Sequence, residues 1–379
     1  MTLERRIGIT LSGGGVRAAA FHIGVLQRLA EECCLERVAF LSTVSGGSIV
    51  TALIYRLGSD KWPSSVTFLH DVLPEARRHL TETNLEWEMG LKGLVHPYSA
   101  LRRRANLLGA ALRSAWGIDG RLDQVPREPR WVINATTYET GKNWRFMPQR
   151  MGDYDVGYVL EPRLPVAEAT AASAAFPVFI GPYVLPTHEY SWVRYRDGGL
   201  RETDPLTMPF RSLHLWDGGL YDNLGLEAVY KMDTEQFREG IDFLIVSDGG
   251  AALKRTGPRP RLSLVTRSID ITTSQVRALR SRSIVGKFQR ERNVGIYAAL
   301  GTSPRKILTD AMVGGKVSAD LLARCAPDEV VETAAAVGTR LRRLTIHEFE
   351  HLRRHGWDTA NCTLSGYCPD LFEFTRWAG

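Results

Sequence analysis

Nothing in this 379-residue chain approaches the run of about 18 apolar residues that a membrane-crossing helix needs, so no spanning helix is expected. The N-terminus is equally bare of an apolar h-region or a small-residue cleavage site. Met1-Thr2-Leu3-Glu4-Arg5-Arg6 runs straight into the strand-like Ile7-Gly8-Ile9-Thr10-Leu11, and no signal peptide is read there. Cysteine is scarce. Cys33, Cys34, Cys325, Cys362 and Cys368 make an odd five with no CxxC spacing, which argues against a disulfide framework and for a reducing compartment, with cytoplasm as the default. There is no nucleic-acid-binding module and no interleaving of basic with aromatic residues, so no nucleic-acid partner is expected. The formal charge of +6 comes mainly from scattered arginines. It suits a solvated face, an anionic ligand or the surface of an anionic membrane. Internal repeats, low-complexity tracts and a convincing linker are also missing. What remains, 44% hydrophobic and 24% charged, is the composition of a globular enzyme with a substantial core.

The first sixty residues read strand, glycine loop, helix, strand, tight turn, helix: a βαβα opening for a parallel sheet. The helix after the glycines places Ala18, Phe21, Val25, Leu26 and Leu29 on one stripe. From about 60 to 125 the pattern turns helical, as an insertion covering the sheet. Strands resume at Trp131–Thr137, around Trp144-Arg145-Phe146, at Leu213–Trp216, and at Ile241–Ser247, whose nearly unbroken apolar run suits a central parallel strand. After about Leu262 the chain reads mostly helical, with an amphipathic stretch from Val330 to Arg354. The expected architecture is a three-layer α/β/α fold with a mainly parallel central sheet. Residues 1–260 would carry the catalytic domain with its helical insertion, and 261–379 a helical extension packed on the same domain.

Acyl transfer needs an activated nucleophile, a base, and donors where the oxyanion forms. Ser45 meets the first need. The apolar run Val38–Val44 ends at Ser45-Gly46-Gly47, and a helix-like segment follows. A strand turning sharply into a helix holds the intervening side chain out at the strand end, beside free N–H groups. Thr43-Val44-Ser45-Gly46-Gly47 is a nucleophile elbow with Thr43 in place of the first glycine. Upstream, Gly13-Gly14-Gly15 ends the first strand and opens a helix, so several N–H groups converge there. A dinucleotide would also use such a loop, but it calls for an acidic residue at the end of the second strand, where Ser42-Thr43-Val44-Ser45 stands instead. For the base there are three Asp-Gly-Gly triplets, at Asp197, Asp217 and Asp248. Asp197 reads as a hairpin turn. Asp217 and Asp248 each end a strand, on the edge where Ser45 is exposed, and pattern alone does not separate them. The bland reading of Asp217 is a turn aspartate that caps the next helix.

Four motifs stand in one order: Ser12-Gly13-Gly14-Gly15-Val16-Arg17, Ser45-Gly46-Gly47, Ala172-Ser173-Ala174-Ala175-Phe176-Pro177, and Asp217-Gly218-Gly219 with its continuation Leu220–Gly225. In this order the chain resembles the patatin-like phospholipases over roughly residues 5 to 255, outside the helical insertion. That resemblance implies a Ser–Asp dyad without histidine or metal. Ser45 would be the nucleophile, Asp217 its general base, and the N–H groups of Gly13, Gly14 and Gly15 the oxyanion hole. Gly46 and Gly47 would shape the elbow, and Arg17 would support the glycine loop. The implied substrate is a phospholipid or another lipid ester, hydrolysed through an acyl-enzyme with no cofactor, and a peripheral membrane surface is an admissible partner.

Three rivals stand beside this reading. His347-Glu348-Phe349-Glu350-His351 is a literal H-E-x-x-H, the pattern of a zinc peptidase helix, with Glu373 as an available third ligand. Its bland alternative is an amphipathic helix carrying Leu341, Leu344, Phe349 and Leu352. An α/β-hydrolase triad shares the elbow, but its nucleophile follows several strands, whereas Ser45 follows only the second. The third rival is a non-catalytic lipid- or partner-binding module on the same fold. The stretch from Trp87 to Trp116, aromatic, leucine-rich and basic, suits either a lipid interface or packing on its own sheet.

Overall fold

The computed structural model describes residues 5–95, 103–177, 179–196, 202–250, 252–253, 261–311 and 319–377. The opening is β1 (Ile7–Leu11), α1 (Gly15–Glu31), β2 (Val38–Val44) and α2 (Gly46–Leu57). A helical excursion follows, with α3 (Leu73–Glu82), α4 (Leu85–Val95) and α5 (Arg104–Trp116). Next come β3 (Arg130–Thr137), β4 (Asn143–Met147), β5 (Arg150–Asp153), β6 (Gly157–Leu160) and α6 (Val166–Ser173). The chain continues through β7 (Tyr183–Pro186), β8 (Trp192–Tyr195), β9 (Thr203–Leu206), β10 (Ser212–Asp217) and the single turn α7 (Gly219–Asp222). A small hairpin, β11 (Tyr230–Lys231) and β12 (Gln236–Phe237), precedes β13 (Phe243–Asp248), α8 (Arg261–Arg290) and β14 (Gly295–Ala299). Helices α9 (Pro304–Ala311), α10 (Ala319–Arg324), α11 (Asp328–Ala336) and α12 (Ile346–Tyr367) close the chain. The turn expected at Asp197 lies outside the described residues.

Among the described residues the main sheet has twelve strands. Its centre is parallel in the order β14-β13-β1-β2-β3, and β1 and β13 are buried along their whole length, as strands sandwiched between helices must be. Beyond β3 the sheet continues as an antiparallel meander through β4, β5, β6, β8 and β9, while β10 pairs with both β3 and β7. The C-terminal region is not wholly helical. β14 adds a parallel strand to the sheet edge beside β13, so this region builds part of the sheet. No helix among the described residues is long and apolar enough to cross a membrane.

Helix α1 is buried on all sides from Gly15 to Ala30, not only along the expected stripe. One side lies on the sheet and α12 covers another. The two helices touch backbone to backbone: a methyl placed on Gly24 would lie 1.9 Å from the Arg353 carbonyl oxygen, and one on Gly356 2.1 Å from that of Phe21. The expected amphipathic stretch from Val330 to Arg354 is in fact two helices, α11 and α12, separated by an irregular segment between 337 and 345. Thr345 and Glu348 make that break with a capping box. Thr345 Oγ1 accepts from the Glu348 N–H at 3.1 Å, and Glu348 Oε2 accepts from the Thr345 N–H at 2.8 Å. The region between Trp87 and Trp116 also divides. α5 buries Leu107, Leu108, Leu112 and Trp116, whereas α4 buries only Leu85 and leaves Trp87, Leu91, Leu94 and Val95 exposed.

Candidate active site

Ser45 sits between β2 and α2 with φ 49° and ψ −114°, a backbone conformation that costs a non-glycine residue about 1–3 kcal/mol. The surroundings hold it there. Its N–H donates to Ser173 Oγ at 2.9 Å, Ser173 and Ser48 share a hydroxyl contact of 2.8 Å, and Ser48 Oγ donates to Thr43 Oγ1 at 2.9 Å. Trp131 Nε1 also donates to Thr43 Oγ1, at 3.0 Å. Thr43, the departure from the usual elbow, therefore ends a buried hydroxyl chain that braces Ser45. Gly46 and Gly47 allow α2 to approach closely. A methyl on Gly46 would lie 2.2 Å from the Gly15 carbonyl oxygen, and one on Gly47 2.2 Å from that of Leu11.

Asp217 reaches Ser45 by a route the sequence reading did not anticipate. β10 runs antiparallel to β3, so its end does not share the edge by direction. It arrives there by register: Asp217 pairs with Ala135, one residue beyond Asn134, which pairs with Val44 of β2. Ser45 and Asp217 line one cavity, the Ser45 side chain is near enough to favour the charged form of the Asp217 carboxyl, and Asp217 Oδ1 accepts from the Gly219 N–H at 2.7 Å. The turn bond to Gly219 expected of a capping aspartate is present, and it leaves the carboxyl in the cavity beside Ser45. Burial raises the Asp217 carboxyl from 3.8 to about 6, against the Gly219 N–H bond and the nearby Ser45 side chain, which favour its charged form. A carboxylate with a pKa near 6 is ionised at neutral pH yet basic enough to receive a hydroxyl proton in a transition state.

The other eligible aspartate is fully engaged. Asp248 Oδ2 meets Arg277 Nε at 2.6 Å and the Tyr297 hydroxyl at 2.5 Å, and Oδ1 accepts from the Gly250 N–H at 2.9 Å. Asp248 has no exposed surface and its partner Arg277 very little. Replacing one member of such a pair leaves the other charge uncompensated. Asp248→Asn should therefore cost about 3 kcal/mol in a denaturant titration, while any correctly folded fraction keeps its turnover.

The glycine loop is asymmetric. The Gly13 N–H donates to the Asn223 carbonyl at 3.2 Å, and the Val16 N–H to the Arg340 carbonyl at 3.0 Å. Between them, Gly14 at φ 147° and Gly15 at φ 64° take backbone conformations that side chains rarely tolerate, and among the described residues their N–H groups have no partner. Two free donors beside Ser45 fit an oxyanion; the third, on Gly13, is already engaged. Arg17 is 2% exposed and donates to the carbonyls of Val337 (3.0 Å) and Gly249 (3.1 Å). Burial, with Arg277 nearby, lowers its pKa to about 10. It ties α1 to the segment between α11 and α12.

The site opens into a cavity of about 1470 Å³. Ser45 and Asp217 line it together with Met89 and Leu94 of α4, Phe176 and Phe179. No histidine is among the described residues lining it. His22, the buried histidine of α1, bonds Ser247 Oγ at 2.7 Å and the Ser12 carbonyl at 2.9 Å, and burial lowers it to about 4. The H-E-x-x-H residues are not brought to the cavity. Glu348 caps α12 and pairs with Arg342, which holds its carboxyl at about 2. The main-chain oxygen of Glu373 accepts from Arg28 at 2.9 Å. In a zinc-peptidase helix Glu348 would be the general base; here its carboxylate starts the helix instead. Sequence reasoning gave no role to Ser173, Ser48 or Asn223, nor to the 337–341 segment. The signal for Ser173 was its place in a small-residue motif, and the signal for the segment was the Thr345-x-x-Glu348 box.

A family model described as patatin-like phospholipase matches residues 9–230. The solved structure of human GIVD cytosolic phospholipase A2 is similar in fold, at 15% identity and a TM-score of 0.54, over 97% of this chain and 62% of that one. The same human protein in complex with methyl gamma-linolenyl fluorophosphonate and terbium chloride gives 15% identity and a TM-score of 0.51, over 97% of this chain and 59% of that one. The chain thus corresponds to less than two thirds of the length of these structures. No curated protein matches it. The family match takes in more than half of the chain, including Ser45 and Asp217, and the chain belongs to the patatin-like phospholipase family.

Proposed function

We propose that this protein is a serine acyl hydrolase of lipid esters, with glycerophospholipids as the substrate class. The observation that carries the proposal is the placement of Ser45 and a buried Asp217 carboxyl, raised to about 6, in the lining of one cavity beside the glycine loop. Ser45 Oγ attacks the ester carbonyl while Asp217 takes its proton. The N–H groups of Gly14 and Gly15 face the oxygen on which negative charge develops, and Asp217 returns the proton to the departing alcohol. Water then repeats the sequence on the acyl-enzyme, with Asp217 as base, and releases the fatty acid.

The cavity supports a lipid as substrate. Its volume exceeds the roughly 300–1,000 Å³ of drug-sized ligand pockets. Leu94, Phe179 and Leu264, all exposed, lie on its lining, as do the arginines Arg104, Arg267 and Arg340. Apolar side chains with cations between them suit acyl chains under an anionic headgroup, presented at a membrane surface.

A fluorophosphonate probe bearing an acyl-like chain should label the wild-type protein and leave Ser45→Ala unlabelled. Hydrolysis of phosphatidylcholine and phosphatidylglycerol vesicles, followed by mass spectrometry of released fatty acid, should stop in the same variant. Labelling or lipid hydrolysis that survives Ser45→Ala overturns the assignment.

A further inference from the structure

We infer that the side-chain amide of Asn223 is a third oxyanion donor, taking the place of the Gly13 N–H; this rests on the acyl-hydrolase reading of the site. Two glycines locate the amide. A methyl placed on Gly13 would lie 2.5 Å from Asn223 Oδ1 and 3.1 Å from Ser45 Cβ. A methyl placed on Gly219 would lie 2.6 Å from Asn223 Oδ1 and 3.0 Å from Asp217 Oδ1. The amide therefore sits against the start of the glycine loop and the turn after the base, next to both members of the dyad.

Its orientation follows from the same contacts. At both glycines Oδ1 is the nearest atom and Cγ lies behind it, at 3.5 and 3.4 Å, so the oxygen rests on the two glycine backbones and the NH₂ group is turned away from them. Asn223 lines the cavity together with Ser45, Gly14 and Asp217, and among the described residues its side chain takes no hydrogen-bond partner. A side-chain amide in a half-buried site ordinarily finds a partner or water. Meanwhile the main-chain carbonyl of the same residue accepts the Gly13 N–H at 3.2 Å. Asn223 thus removes one backbone donor from the loop and sets two side-chain N–H bonds beside it. A preorganised amide that meets charge only as it develops stabilises the transition state more than the ground state.

The test uses the full chain with Asn223→Ala and with Asn223→Leu, which keeps the volume but has no donor. On a soluble p-nitrophenyl acyl ester, kcat should fall about 100- to 1,000-fold with KM changed by less than about threefold. Affinity for an acyl trifluoromethyl ketone, whose adduct with Ser45 carries an oxyanion, should fall by the same factor as kcat/KM. A purely structural role would lower thermal stability without this parallel. For the wild type, ¹⁵N-resolved spectra should show the Asn223 side-chain NH₂ resonances shifting when the ketone binds, a readout that needs no variant. Unshifted resonances, or variants that retain kcat within about threefold, overturn the inference. If the fluorophosphonate labels wild type at Ser45 while the Asn223 variants stay active, only the role of Asn223 is lost. Absence of Ser45 labelling in wild type removes the hydrolase reading itself.

Discussion

Asp217→Asn is expected to lose turnover by a factor of about 10⁴ or more and at the same time to make the protein more stable above pH 6. The loss follows from chemistry: an amide cannot take the Ser45 proton, and no histidine lines the cavity among the described residues to replace it. The gain follows from burial. The Asp217 carboxyl titrates at about 6 in the folded protein instead of at 3.8, so the native state holds a proton that the unfolded chain releases. Its contribution to stability is fully present below pH 3.8 and is lost as the pH rises through about 6. At pH 8 the buried carboxylate withholds roughly 1–3 kcal/mol, and asparagine removes that penalty while Oδ1 can still accept from Gly219. Melting temperatures at pH 4 and pH 8 check this: the advantage of the variant should be small at pH 4 and largest at pH 8. The same ionisation governs catalysis, so wild-type kcat/KM should climb with pH through about 6 and level off above it. A variant less stable than wild type at pH 8 would mean that Asp217 is a structural carboxylate.

Gly24→Ala is expected to destabilise the fold by more than about 4 kcal/mol or to prevent its formation, although alanine is the better helix former. Propensity alone would favour alanine by about 1 kcal/mol in a helix interior. Sterics decide the sign, because the new methyl would lie 1.9 Å from the Arg353 carbonyl oxygen and 2.8 Å from the Trp357 nitrogen, both α12 backbone atoms that cannot rotate aside. Helices α1 and α12 would have to separate, opening the buried seam that contains Phe349, Leu352 and Trp357. Gly90, on exposed α4 with nothing within 4 Å of its would-be methyl, is the matched control: Gly90→Ala should raise stability by about 0.5–1 kcal/mol. Circular dichroism melts of the two variants test the contrast directly.

Periodicity and turn chemistry made much of this legible in advance. The βαβα opening, the elbow at Ser45 and the apolar β13 are local patterns, and they formed within a residue or two of expectation. Strands β5, β6, β7, β8 and β9 were not read, because four-residue strands carry too few residues for an alternation to stand out. β14, with the sequence Gly-Ile-Tyr-Ala-Ala, has a composition that does not oppose a helix, and only its place beside β13 makes it a strand. At the site, Ser45 and Asp217 were visible as residue types at strand ends. The difference in surroundings between Asp217 and Asp248 was not, since Asp248 is tied up by Arg277 and Tyr297, 29 and 49 residues further along the chain. The status of the Gly13 N–H was hidden for the same reason: its partner is a main-chain carbonyl at 223, and main-chain partners leave no mark in a sequence. His347-Glu348-Phe349-Glu350-His351 shows the opposite case, a pattern with two physical readings in which the humbler helix cap prevailed.

The tie between the glycine loop and the segment around 340 has a consequence for the protein as it is made. A ribosome that has reached β13 has already synthesised Ser45, Asp217 and every strand that places them, while the Arg340 carbonyl that receives the Val16 N–H and the Val337 carbonyl that receives Arg17 do not yet exist. The glycine loop gains this anchor about ninety residues after β13 is complete. The growing chain thus holds Ser45 and Asp217 side by side before it holds the anchor that fixes the glycine loop next to them, and the loop takes its final shape only when the segment around 340 has been made.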